Sequence, residues 1–198
     1  MKRKPDRRIA RSRKALHMAL MQLLETEPYH EITVQQILDR ADVGRSTFYG
    51  HFHDKDQLLV WGISNLERDL IALTDKEMTR RTQSARRRTH AADARERIFV
   101  LSLALFEHAE SHKGVYRSLK AGGAWYVVRA GFEAMLARLI QPEIRKLKNV
   151  ARPVPSELLL HFLSATAVEV LTWWMERSPK LPAQQVARAY RRLIHSMI

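Results

Sequence analysis

Apolar residues recur along the chain at intervals of three and four positions, which is the spacing of amphipathic helices. The pattern predicts a first helix built on the leucines of Leu16–Leu24 and a second that starts at Thr33. A third is predicted over 45–52 and a fourth from about Asp54 to near Met78. We therefore expect an all-α fold.

The stretch 32–59 contains two short helical patterns separated by a tight turn. Gln36 stands three residues after Thr33, which is the spacing of a capping box at a helix start. Asp42 is suited to a left-handed conformation and Gly44 to an N-cap, so the chain is expected to turn between them. This arrangement is typical of a helix-turn-helix unit.

The second helix of this unit has one apolar side and one polar side. Phe48 and Phe52 fall together on the side expected to face the core. The residues left facing outward, where a DNA major groove would be met, are Arg45, Ser46, Thr47, Gly50 and His51.

The charge balance favours a polyanionic partner. Lys and Arg number 34 against 21 Asp and Glu, a formal net charge of +13. Nucleic acid is the first candidate and an anionic membrane surface the second. Eight of the first fourteen residues are basic, and this arm could contact DNA through Arg3, Lys4, Arg7 and Arg8 or could be a solvated tail. The arginine-rich stretch Arg80–Arg97 overlaps a predicted exposed linker, 79–92, that could add nonspecific affinity for DNA.

Several functional classes have no support in the sequence. There is no cysteine, which excludes disulfides, thiolate zinc sites and cysteine nucleophiles. His108 and His112 are four apart on a predicted helix, but two ligands do not make a metal site. No catalytic motif or cofactor-binding loop is present, and no apolar run reaches the roughly 20 residues of a membrane span. We expect a cytoplasmic protein that is not an enzyme.

The combination of T-F-Y-x-H-F and D-K-D-x-L-L within 33–59 resembles the N-terminal domain of the tetracycline-repressor (TetR) family of bacterial transcriptional regulators. The resemblance implies a helix-turn-helix DNA-binding domain over 1–53 and a helical regulatory and dimerisation domain over 54–198. It further implies a homodimeric repressor that is released from a palindromic DNA operator by a small apolar or aromatic effector.

The resemblance also assigns roles to residues of the unit. Arg45, Ser46 and Thr47 would contact base edges, helped by Gln35, and Phe48 and Phe52 would be core. Arg can bond bidentately to guanine, and the Thr methyl group can meet thymine. The residues that would hold backbone phosphates, which fix register without reading sequence, are Thr33, Tyr49, His51 and Lys55.

The C-terminal part is expected to dimerise and could bind a ligand. A helix over 158–174 is apolar on nearly all sides, so one side needs a partner. With a last helix over 183–197 it would form a four-helix interface between two copies, as in the family. The residues predicted at this interface are Leu159, Leu163, Val170, Trp174, Val186, Tyr190 and Leu193. Those predicted to line an apolar pocket are Phe99, Leu103, Phe106, Tyr116, Trp125, Tyr126, Phe132 and Phe162.

Two alternatives stay open at this point. The body could lack a small-molecule pocket, so that the regulator answers to a protein partner or acts constitutively. An enzyme, or a basic protein of membrane surfaces, would fit the composition but has no motif in its favour.

Overall fold

The computed structural model describes residues 7–83, 90–147, 154–177 and 180–195, and the regular structure within them is helical. The helices are α1 (Arg7–Leu24), α2 (Val34–Ala41), α3 (Arg45–Tyr49), α4 (Lys55–Gln83), α5 (His90–Ser111), α6 (Lys113–Ala121), α7 (Trp125–Leu147), α8 (Ser156–Arg177) and α9 (Ala183–Ile194). The all-α prediction is confirmed.

The turn between α2 and α3 has the predicted geometry. The Thr33 hydroxyl accepts from the Gln36 backbone N–H, and the Gln36 side chain accepts from the Thr33 N–H, so the capping box is complete. Asp42 ends α2 in the left-handed region at φ 51°, and Gly44 is the N-cap of α3. These local signals set the angle at which α3 leaves the turn.

Helix α4 is longer than the sequence pattern predicts. It continues to Gln83, and α5 begins at His90, so the prediction of an exposed linker over 79–92 is wrong for both of its ends; 84–89 lie outside the described residues. The reason is electrostatic, because the Glu77 carboxylate accepts hydrogen bonds from Arg80 and Arg81, one helical turn further on. Such pairs stabilise a helix that lacks an apolar stripe.

The chain divides into two compact units, and the predicted boundary at residue 53, a division by function, stays a prediction. The first runs to Ser64 and also includes Gly114–Val128. Helix α6 belongs to it because the Ser118 hydroxyl donates to the Glu27 carbonyl and the Tyr29 N–H donates to the Ser118 carbonyl. The largest fully buried side chains of this unit are Leu16, Leu20, Leu24, Ile32, Ile37, Phe48 and Leu58.

The second unit comprises Asn65–Lys113 and Arg129–Ile198. Its core is aromatic, with Phe106 edge-to-face against both Trp174 and Tyr190 at centroid distances of 6.1 and 5.9 Å. The Tyr190 hydroxyl donates to the Leu163 carbonyl at 2.9 Å, which fastens α9 to α8.

This packing corrects the residues predicted for a dimer interface. Those buried against their own chain, and so absent from its surface, are Leu159, Leu163, Trp174, Val186 and Tyr190. Val170 is half-buried, and Leu193 is exposed. Contact with α5 and α9 decides which side of α8 is covered, and the apolar sequence of α8 could not indicate that choice.

Helix α8 also corrects the expectation about membrane spans. An 18-residue stretch within it reaches a mean hydropathy of 1.4 with few charges, which meets the length and composition of a span. Half of that stretch is buried inside the chain, as in the core helix of a soluble protein.

Candidate nucleic-acid interface

The first turn of α3 forms a polar surface over an aromatic base. Arg45, Ser46 and Thr47 are exposed, whereas Phe48 is fully buried and packs against Phe52 at a centroid distance of 5.9 Å. Since the helix has only five residues, its orientation depends on this aromatic contact rather than on its own length. The predicted separation of outward polar residues from an inward scaffold is present.

Two predicted base readers are hydrogen-bonded to each other. The Arg45 Nη2 donates to the Gln35 Oε1 at 2.6 Å, across the turn between α3 and α2. The Gln35 Nε2 in turn donates to the Asp39 Oδ1 at 2.7 Å. All three side chains are exposed, so the guanidinium lies at the surface while one of its nitrogens is held.

Thr33 and His51, predicted to hold phosphates, already have partners inside the first unit. The Thr33 hydroxyl belongs to the capping box described above. The His51 Nε2 lies 2.8 Å from the Ser12 Oγ, which joins α1 to the segment after α3. Burial, together with the neighbouring Arg13 guanidinium, lowers the pKa of His51 although a backbone hydrogen bond at Gly50 opposes the shift, and this favours the neutral imidazole. Neither side chain therefore presents an unbonded, positively charged group to a phosphate.

Lys55 is bonded even more completely. Its ammonium donates to the carbonyls of Tyr29 and Ile32 at 2.7 and 2.6 Å, and it lies 4.5 Å from the centre of the Tyr29 ring. Partial burial lowers the pKa of Lys55, although the neighbouring Asp56 opposes that shift. Asp56 also accepts a hydrogen bond from the Tyr29 hydroxyl. Lys55 therefore links the first turn of α4 to the segment between α1 and α2 through these hydrogen bonds.

Tyr49 and the N-terminal turns of α1 remain open to solvent. Tyr49 is 52% exposed, which argues against the half-buried scaffold role that an aromatic residue could have here. The exposed cations of α1 are Arg7, Arg8, Arg11 and Lys14. Arg7 and Arg8 are helical rather than part of an extended arm, and Arg3 and Lys4 lie outside the described residues.

The predicted pocket residues are divided between the two units. Tyr116 and Trp125 meet edge-to-face at 4.7 Å in the first unit, where Tyr126 is 75% exposed and lines no enclosed space. In the second unit Phe106 is core, and Phe162 lies on the exposed face of α8. Phe99 is buried beneath the Arg191 guanidinium, while Leu103 and Phe132 are half-buried.

A small recess does occur in the second unit, lined by other residues. Its free volume is about 20 Å³, enough for one water molecule. The residues around it are Ile71, Thr74, Arg97, Ile98, Leu101, Leu139 and Glu143, none of them among those predicted.

His108 and His112 stack at 4.2 Å. In the part of the chain that the structure describes, no group of three or more potential ligands is placed to hold a metal ion.

Sequence reasoning missed two residues that hydrogen-bond to predicted site residues. Asp39 could have been found, because it lies four residues after Gln35 on the same face of α2. Ser12 could not, since it is 39 residues from His51 and only the packing of α1 brings the two together.

The comparisons with known proteins agree with this geometry. Residues 18–60 match the family described as "Bacterial regulatory proteins, tetR family". The chain is 40% identical over 55 residues to the uncharacterized HTH-type transcriptional regulator YxbF of Bacillus subtilis (strain 168). It is 33% identical over 60 residues to the HTH-type dhaKLM operon transcriptional activator DhaS of Lactococcus lactis subsp. lactis (strain IL1403).

These two likenesses concern a part of each protein. They span 27% and 30% of this chain, and 14% and 32% of the respective relatives. A solved TetR transcriptional regulator from Streptococcus agalactiae 2603V matches along nearly the whole length, with 96% of each chain covered, 25% identity and a TM-score of 0.60.

Proposed function

We propose that the chain is a regulator of the tetR family, whose model matches residues 18–60, and that it binds a specific operator as a homodimer and regulates transcription from it. Regulators of this family are non-enzymatic DNA-binding proteins. The observation that carries the proposal is the exposed Arg45–Gln35 pair on a short helix anchored by the buried Phe48. We further propose that the protein works in the cytoplasm.

In this proposal the first turn of α3 reads the major groove. Arg45 contacts guanine, Thr47 offers its methyl group to thymine, and Ser46 and Gln35 complete the base contacts. Tyr49, exposed beside them, donates to a phosphate, and the cations of α1 add sequence-independent affinity. Thr33, His51 and Lys55 contribute chiefly by holding the unit together, since their polar atoms are bonded within it.

Dimerisation is supported by an exposed apolar stripe on α8. Leu158, Phe162 and Trp173 are 57%, 38% and 46% exposed and lie at helical spacing on one face. Exposed large apolar groups on one face of a helix mark an interaction surface, here interrupted by the exposed Glu169. A second copy is the partner we propose, because a twofold axis would present two α3 helices to the two halves of a palindromic site.

Control by a small apolar or aromatic effector is the regulation we propose, acting by lowering the population of the DNA-binding state. Repression follows if the operator overlaps a promoter, although DhaS is named an activator. A regulator without a small-molecule pocket is the second candidate, favoured by the water-sized recess in the second unit. Ligands that raise the melting temperature and weaken operator binding would favour the first over the second.

The experiment that tests DNA reading is selection from random double-stranded DNA by the full-length chain. We expect enrichment of one sequence with twofold symmetry and half-site centres about one helical turn, or a multiple of it, apart. Recovery of DNA without a consensus would contradict the proposal. A promoter fused to a reporter and carrying the selected site would then give the sign of regulation.

A further inference from the structure

Arg45, Gln35 and Asp39 form a hydrogen-bonded series, and Asp39 is the member that is not itself a proposed base contact. Gln35 uses both ends of its side-chain amide, accepting from the Arg45 Nη2 at 2.6 Å and donating to the Asp39 Oδ1 at 2.7 Å. An unrestrained amide can present either its oxygen or its nitrogen to a neighbour. The Asp39 carboxylate only accepts, so it holds the amide nitrogen and turns the oxygen towards Arg45.

The consequence for Arg45 is geometric. Its guanidinium has five N–H donors in a fixed plane, and the bond to Gln35 occupies one of them. The remaining nitrogens stay available for the two parallel bonds that guanine O6 and N7 accept. An exposed arginine without this tether would sample many rotamers, and ordering them on binding would reduce its discrimination.

We propose that Asp39 is a positioning residue for operator recognition, acting through Gln35 to fix the orientation in which Arg45 reads its base. This inference rests on the proposed function. The carboxylate makes no base contact of its own; a direct contact, accepting from a cytosine amino group, is the competing arrangement.

The test uses the site that the wild-type chain selects and a set of its single-base variants, measured by fluorescence anisotropy. Asp39→Ala should reduce discrimination at one position per half-site about twofold to tenfold, the effect of one hydrogen bond. The affected position should be the one that Arg45→Ala affects. Asp39→Asn, which keeps an acceptor oxygen, should retain most of the discrimination.

A double-variant cycle separates positioning from contact. In the Arg45→Ala background, Asp39→Ala should cause no further loss of discrimination at the base that Arg45 reads, because the guanidinium that Asp39 orients through Gln35 is absent. A further loss at the base that Arg45 reads, or a loss at a position that neither Arg45→Ala nor Gln35→Ala affects, would overturn the inference in favour of direct contact. Unchanged discrimination in Asp39→Ala alone would overturn it as well.

Charge is controlled with a second exposed acid. Removing Asp39 removes a negative charge near DNA and should tighten binding to random sequences, so specificity is taken as the ratio of affinities. Asp69→Ala, on α4, changes the net charge equally and should leave that ratio unchanged. If the wild-type chain selects no site, the proposed function fails; if it selects one and Asp39→Ala preserves every preference, only the inference fails.

Discussion

At the scale of single residues, Lys55 shows how a side chain can change role once its surroundings are known. The sequence places it in the first turn of a helix, where backbone N–H groups favour an anion and a phosphate contact is a natural expectation. In the fold its ammonium instead satisfies two carbonyls of the segment between α1 and α2. A buried carbonyl without a donor costs about 1 to 3 kcal/mol, so this arrangement stabilises the unit.

Replacing Lys55 with Met should therefore lower stability more than it alters DNA binding. Methionine keeps most of the aliphatic stem but donates no hydrogen bond. The Ile32 carbonyl then loses the ammonium, and the Tyr29 carbonyl keeps only the Ile32 N–H, so we expect a loss of about 1 to 3 kcal/mol in unfolding free energy by urea denaturation. Lys76→Met, at an exposed position of α4, is the control and should cost less than about 0.5 kcal/mol. Lys55 would instead be a phosphate ligand if Lys55→Met were as stable as the wild type and if the dependence of its DNA affinity on salt concentration fell by the amount expected for one phosphate contact.

Residue roles within the helix-turn-helix unit could be predicted where the signal was local. The capping box at Thr33, the left-handed Asp42 and the buried Phe48 all follow from spacing within a few positions. The bonds of Lys55 and His51 join residues 23 to 39 positions apart, and no periodicity encodes them.

At the scale of helices, the last turns of α4 depend on charge rather than on an apolar face. This is why hydrophobic spacing ended the helix near Met78. The hydrogen bonds from Arg80 and Arg81 lower the pKa of Glu77 to about 2, from an ordinary value of 4.5. Arg81 also forms an ion pair with the buried Glu96 of α5. The other carboxylate oxygen of Glu96 lies 3.3 Å from the Arg191 Nη2.

The sign of the pH dependence follows from that lowered pKa. Ionised Glu77 stabilises the helix end fully above the unfolded-state pKa of about 4.5, and its contribution is lost as the pH falls through about 2. The titration of the Glu77 carboxyl carbon, followed by NMR, should show a midpoint near 2. A midpoint at the ordinary value would mean that the arginine bonds are absent in solution.

The matching substitution is Glu77→Gln. At neutral pH it should speed amide exchange in 79–83, since the helix end loses its two charge-assisted bonds, while exchange in the first turns of α4 is unchanged. Glu107→Gln, an equal change of charge at an exposed position of α5, should not affect 79–83. Equal exchange in both variants would show that the ion pairs do not maintain the helix end.

At the scale of the whole molecule, the sequence predicted that α8 needs a partner, but most of the residues it named for that contact are buried within their own chain. Apolar residues occur on all sides of α8, so the pattern does not distinguish its two sides. Packing against α5 and α9 buries Leu163 and Trp174 and leaves Phe162 and Trp173 exposed. The exposed face of α8 could therefore be identified only after the core was known.

The double variant Phe162→Glu, Trp173→Glu should convert the proposed dimer to a monomer. The double variant changes four side chains in a homodimer, each about two-fifths exposed within its own chain. Burying their exposed parts contributes about 2 to 5 kcal/mol, which corresponds to roughly thirtyfold or more in the dissociation constant. Because both side chains are exposed within one chain, helicity should be unchanged. Light scattering gives the mass, with Tyr126→Glu as the exposed aromatic control.

A dimer that survives this double substitution would move the interface away from the exposed stripe of α8. A wild-type chain that is monomeric at micromolar concentration would contradict the dimer itself. In that case a palindromic site would not be expected either, since its symmetry derives from the protein.

The central claim is that α3 reads sequence through Arg45, and its most direct test is a comparison of wild type and Arg45→Ala on the selected operator, its single-base variants and random DNA. The variant should lose about fivefold to 150-fold in discrimination at one base position per half-site, the value of a bidentate guanine contact, while its affinity for random DNA changes far less. Equal losses on the operator and on random DNA would contradict the claim, because Arg45 would then be a phosphate contact.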